Sequence, residues 1–187
     1  MITGDKNIFA AGSEAHARFL LQKSVVDDLI AVYIGRGSVW PKMPKGSFDV
    51  VTSQDPFWRG VFALWAARRK SARLNVQVHA DLSGQSFIKR VLARMVLRRA
   101  DSVRVVSERI KKQVERIGVK VPIAVLHVFV DIERFRTLSP KLHNQKTILW
   151  VGRFEAEKDP LHAVDVFKEL RQTVDAKLTM LGTGSLE

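Results

Sequence analysis

Short β-rich runs alternate with amphipathic helical stretches along the whole chain, and this alternation restricts the fold more than any other feature. Residues 48–53 (FDVVTS), 74–78 (LNVQV), 102–106 (SVRVV), 123–126 (IAVL), 147–151 (TILWV) and 177–181 (KLTML) read as buried strands. The opening residues and 29–34 (LIAVYI) read as two more. Helical periodicity falls between them, near 14–24, 57–70, 86–100, 107–117 and 160–172. Apolar strands that alternate with helices predict an α/β fold, with Rossmann-like parallel sheets covered by helices on both faces.

The polar segment 137–146 (TLSPKLHNQK) interrupts the pattern, which then restarts with TILWV. The expected domains are 1–139, a hinge or linker at 140–146, and the start of a second domain at 147–187. That second part supplies a strand, a helix, a strand and a glycine loop. Two strands and one helix cannot bury a sheet on both faces, so the second domain is expected to be truncated in this chain.

Composition removes several classes of chemistry. The 187 residues contain no cysteine, which excludes disulfides, thiolate metal sites and a cysteine nucleophile. No apolar run approaches the roughly 18 residues that span a bilayer. The N-terminus has no signal-peptide pattern, and a cytoplasmic protein is expected. The net charge is +12, and residues 61–120 alone hold fifteen Lys and Arg against four acids. A basic stretch of this kind attracts phosphate-bearing partners, whether nucleic acid, anionic lipid or nucleotide. His16, His127, His143 and His162 share no metal-ligand spacing, and no metal site is expected.

The most informative segment is 148–160, ILWVGRFEAEKDP. Its strand runs into Gly152, Arg153 follows at once, and Lys158 precedes the next helix. Glycine at a strand end admits a ligand close to the backbone, and ligands of open parallel sheets bind beyond those ends. An Arg fork and a Lys point charge, beside a helix N-terminus, can grip a diphosphate. Two solvated cations beside a strand-end glycine are the competing reading. His79 ends another strand, followed by Ala80 and Asp81, and by the same rule lies where a cleft forms. Its ring can bond a sugar hydroxyl or a phosphate, or serve as a satisfied structural histidine. Residues 86–99 (SFIKRVLARMVLRR) place Phe87, Val91 and Met95 at helical spacing among Lys89, Arg90, Arg94 and Arg99. That helix can lie on an anionic membrane surface, or pack on the sheet with a solvated basic face.

Residues 151–187, with Gly-Arg, an acidic stretch, Lys, a helix and a Gly-x-Gly loop at Gly182 and Gly184, resemble the donor-domain entry of a glycosyltransferase family. This is the large family 4 of retaining GT-B enzymes (glycosyl transferases group 1). The likeness extends back along the chain. Ala11-Gly12-Ser13-Glu14 is similar to the family's Gly-Gly-x-Glu loop, with Ala in place of the first Gly. FDVVTSQDP, with Asp55 and Pro56, LNVQVHADL and ADSVRVVSERIKKQV resemble successive strands and their loops. LHVFVDIERF resembles the Pro-Asn-Gly-Val-Asp segment before the hinge, keeping Val130, Asp131 and Phe135.

The resemblance implies a GT-B-like pair of Rossmann-like domains and transfer of a sugar from a nucleotide-diphosphate sugar, with retention. Gly152, Arg153 and Lys158 would bind the donor diphosphate, with Gly182 and Gly184 as a donor loop. Gly12, Asp55 and His79 would lie on the acceptor side, and His79, Arg153 and Lys158 would take part in catalysis. No cofactor is implied beyond the nucleotide sugar as co-substrate. The implied partners are that nucleotide sugar and a glycan or lipid-linked acceptor, with peripheral contact to an anionic membrane surface. The fragment is not expected to be fully active alone. A basic nucleic-acid-binding or anionic-surface-binding protein without catalysis is the competing class, but no helix-turn-helix, zinc finger or aromatic RNA-binding signature accompanies the charge. A nicotinamide-binding Rossmann enzyme would need Gly-x-Gly-x-x-Gly after its first strand, and that pattern is absent.

Overall fold

The computed structural model describes residues 1–35, 41, 43–128, 132–136 and 145–186. The chain divides into two compact units, Met1–Phe129 and Val130–Glu187. Most of the expected hinge at 140–146 lies outside the described residues, as do Val130, Asp131 and His143.

The first unit is a six-stranded sheet in the order β2-β1-β3-β4-β5-β6, and all its pairings are parallel. Its strands are β1 (Ile2–Thr3), β2 (Val32–Tyr33), β3 (Val50–Ser53), β4 (Arg73–Val78), β5 (Ser102–Val105) and β6 (Ile123–Val125). Four helices connect them: α1 (Glu14–Lys23), α2 (Trp58–Lys70), α3 (Phe87–Leu97) and α4 (Glu108–Arg116). A 3-10 turn, Lys6–Phe9, precedes α1.

Local chemistry sets the helix starts. The Ser13 side chain accepts from the His16 amide at 3.0 Å, and that of Ser107 accepts from the Ile110 amide at 3.4 Å. In α2 the cap position falls to Phe57, which has no capping group. Asp55 substitutes from two residues earlier, its Oδ1 accepting from the Phe57 amide at 2.9 Å.

The core lies on one face of this sheet. Val51, Leu74, Val76, Val78, Val103 and Val105 are buried against Phe62, Ala63, Ala66 and Ala67 of α2. Ala93, Val96 and Leu97 of α3 and Ile110 and Val114 of α4 complete the same cluster. The registers Val51↔Leu74 and Val76↔Val103 put these side chains in aligned rows.

Strand alternation sends the intervening residues to the opposite face, and there the expectation of fully buried strands needs correction. Thr52, Asn75, Gln77, Ser102 and Arg104 form a polar row joined by side-chain hydrogen bonds. Thr52 donates to Asn75 (3.0 Å), Asn75 to Ser102 (2.8 Å), Gln77 to Thr52 (3.3 Å) and Arg104 to Gln77 (3.2 Å). The period-2 polar positions in LNVQV and SVRVV are the cause: residues of this kind cannot enter an apolar layer unpaired. On this side α1 has no fully buried residue, and its Arg18, Leu21 and Gln22 border an open cleft.

The second unit comprises α5 (Glu133–Arg136), β7 (Lys146–Val151), α6 (Pro160–Leu170) and β8 (Ala176–Leu181). Strands β7 and β8 pair in parallel over their full length, from Lys146↔Ala176 to Val151↔Leu181. Asp159 caps α6, accepting from the His162 amide at 3.2 Å, and Pro160 occupies the first turn. Leu149, Val151 and Leu181 remain exposed on the strands. The short α5 had no counterpart in the sequence periodicity. A single turn carries too few positions to show a 3.6-residue repeat.

Candidate functional site

The chain runs from β1 outward to β2, then returns to place β3 on the other side of β1. Strand order therefore reverses between β1 and β3, and a parallel sheet opens a crevice beyond the carboxyl ends at such a point. A cleft of about 680 Å³ occupies this position. Gly4 and Asp5 line it from the end of β1, and Gln54 and Asp55 from the end of β3. Gln77, His79 and Arg104 line it from the polar row, and Arg18, Leu21 and Gln22 from α1. The volume falls in the range of small-molecule binding sites.

Asp55 and His79, two of the candidates from the sequence, thus meet in one cleft. Gly12 does not line it. It sits in the exposed turn before α1 with φ of +83°, a conformation that glycine adopts without strain.

Asp55 accepts from Arg59 Nη1 at 2.7 Å, and the Arg59 Nε donates to the Ile34 carbonyl at 2.8 Å. This pair anchors the start of α2. Gln77 fixes the histidine beside it. Arg104 can only donate, so the Gln77 atom facing its Nη1 is the amide oxygen, Oε1. His79 Nε2 lies 3.3 Å from the same oxygen and must donate to it. The neutral ring then carries its proton on Nε2 and keeps a lone pair at Nδ1. Burial, followed by the Arg104 charge, lowers the His79 pKa below the ordinary histidine value, while Asp55 opposes them. His79 at neutral pH is therefore an uncharged ring able to accept a hydrogen bond from a ligand hydroxyl.

Asp81 holds the loop that follows His79. Its carboxylate accepts from Ser83 Oγ at 2.5 Å, Gln113 Nε2 at 3.0 Å and Arg109 Nη2 at 2.5 Å. Gln113 also accepts from the Leu82 amide at 2.9 Å, which ties the loop to α4. The hydrogen bonds from Ser83, then from Gln113, pull the Asp81 pKa down to about 2.

The remaining candidates lie in the second unit, where two loops are joined. The Gly152 amide donates to the Leu181 carbonyl and the Phe154 amide to the Thr183 carbonyl, both at 3.0 Å. Ser185 Oγ donates to Glu155 at 2.8 Å, and this bond, more than the nearby Arg153, holds the Glu155 carboxyl below the usual range. A Cβ on Gly182 would collide with the Gly152 carbonyl, and one on Gly184 with the Phe154 backbone. Both glycines are thus required by the close approach of the loops. Arg153 is ion-paired with Glu157, four residues on, whereas Lys158 has no ion-pair partner among the described residues.

Sequence reasoning missed Arg104, Gln77, Arg59, Arg18 and Gln54 as cleft residues. Arg104 carried a usable signal, since a charge within a β-branched run of a parallel sheet needs a partner or a ligand. Among the described residues, no three acidic or histidine side chains gather into a metal-ligating cluster. No described helix is long and apolar enough to cross a membrane.

Comparison with known proteins agrees with the first unit. No curated protein matches the chain significantly. The family model for Glycosyltransferase Family 4 matches residues 21–134, which include β2 to β6 and the cleft residues Asp55, His79 and Arg104. The match covers more than half of the 187 residues, and the chain belongs to glycosyltransferase family 4.

Proposed function

We propose that this protein transfers a sugar from a nucleotide-diphosphate sugar to a glycan or lipid-linked acceptor, with retention of anomeric configuration. The observation that carries the reading is the cleft at the strand-order reversal, whose lining residues Asp55 and His79 fall within the region that matches the family. In this reading the first unit takes the acceptor in the cleft that Asp55 and His79 line. The second unit takes the diphosphate at Gly152, Arg153 and Lys158, beside the N-terminus of α6. As the bond from the anomeric carbon to the diphosphate oxygen breaks, the two cations stabilise the departing anion. The acceptor oxygen bonds to that carbon and its proton leaves to solvent or to the diphosphate.

The exposed face of α3 supports an anionic membrane as the surface where a lipid-linked acceptor is met. Phe87 and Ile88 are 74% and 63% exposed, with Lys89, Arg90 and Arg94 among them. An adjoining groove of about 400 Å³ is bordered by Arg90, Arg94 and Arg116. Apolar side chains ringed by cations match the chemistry of an anionic interface.

Calorimetric titration of the chain with UDP- and GDP-sugars tests the donor reading. One of them should bind, and Arg153→Ala and Lys158→Ala should each weaken it about tenfold, the loss of a charge-assisted contact. Parent-like affinity in both variants would remove the donor site from this loop. Steeply salt-dependent binding of nucleic acid, without any binding of sugar nucleotide, would favour the competing class.

A further inference from the structure

We infer that the cleft of the first unit is an oxyanion site, in which Arg104, with His79 beside it, receives a phosphate or carboxylate carried by the sugar acceptor. The inference rests on the glycosyltransferase reading for the word acceptor, but not for the site itself. Arg104 has five N–H donors in a rigid fork, and its partners are all neutral. They are Gln77 Oε1 at 3.2 Å and the carbonyls of Leu126 and His127 at 3.4 and 3.5 Å. Among the described residues no carboxylate pairs with it, and its Nε is buried without any acceptor.

A half-buried guanidinium that, among the described residues, lacks both a counter-ion and a partner for its Nε–H is incompletely compensated. The neighbouring acids do not supply what is missing. Asp55 is occupied by Arg59 and the Phe57 amide, and Asp5 accepts from the Asn7 amide at 2.9 Å. Arg18 adds a second cation to the lining, only loosely held by Glu14 at 3.9 Å, where both side chains are exposed. An anion seated here gains the Arg104 fork. It also favours protonation of His79, which then donates from Nδ1. A purely structural Arg104, tying β4 to the segment after β6, would leave its environment indifferent to added anions.

The test uses the whole chain and histidine-ring NMR, with His79 assigned through a His79→Asn variant. Inorganic phosphate and acetate are titrated separately against chloride at constant ionic strength and pH. The titratable groups lining the cleft with His79 are Asp5, Arg18, Asp55, Arg59 and Arg104. We expect one of the two anions to move the His79 resonance saturably and raise its titration midpoint. A phosphate response marks the site as one for a phosphate group, and a response to acetate alone as one for a carboxylate. Arg104→Gln should weaken the response at least tenfold, and Arg104→Lys, which retains the charge but loses the fork, should weaken it less. Arg153→Ala should leave it intact.

The inference falls if neither anion moves His79 in the parent, a result that needs no variant to fold. It also falls if Arg104→Gln responds like the parent. Sugar-nucleotide binding without any anion response would sink this site and spare the donor reading, and the converse pattern would do the opposite.

Discussion

Asp81 shows how much one residue beside a candidate site can depend on its neighbours. Its carboxylate gathers Ser83, Gln113 and Arg109, and so fixes the loop leaving His79. Its pKa falls from 3.8 to about 2. A carboxyl whose folded pKa lies below its unfolded value adds stability above the unfolded pKa, and that stability is lost as pH falls towards the folded one. The urea midpoint of the parent should therefore exceed that of Asp81→Asn at pH 5, and the gap should close between pH 4 and 2. A gap that stays constant across that range would mean that the Asp81 charge contributes nothing. In the sequence Asp81 stood out only as a neighbour of His79. Its partners Arg109 and Gln113 lie 28 and 32 positions away, and spacing of that kind has no local signature.

Among the elements, those with a strong local cause were the readable ones. The strands at 102–105 and 146–151, and the helices capped by Ser13, Ser107 and Asp159, lie within a residue or two of where periodicity and capping place them. Strands β1 and β2 have two residues each and leave almost no pattern. The polar phase of β3, β4 and β5 was visible residue by residue, but apolar content masked it when each run was read as a block. Gly182 and Gly184, which the resemblance assigns to a donor loop, also have a packing reason to be glycine in the close backbone contacts around them. Gly184→Ala should cost about 1–3 kcal/mol of local stability through overpacking. Faster hydrogen exchange at the Phe154 and Leu186 amides would report it, since both bridge the two loops. Unchanged exchange there would mean that the loops separate at no cost.

Across the whole molecule, the charge of +12 gains meaning from where the basic residues sit. On α3 they surround exposed Phe87, Ile88 and Val91. Binding to vesicles rich in phosphatidylglycerol should exceed binding to phosphatidylcholine vesicles. Phe87→Ser with Ile88→Ser should weaken it about tenfold or more, on the scale of the apolar area removed. Equal partitioning of parent and variant would leave the basic face merely solvated. The cleft was the least legible feature, because it arises from a reversal of strand order that no single segment encodes. The wiring of its floor has a further outcome. Gln77 offers one oxygen to two donors, His79 and Arg104, while its amide nitrogen holds Thr52. A change at Gln77 alone would release the proton preference of the imidazole and the aim of the guanidinium together. Redesign of this cleft would therefore have to treat Gln77, His79 and Arg104 as one unit.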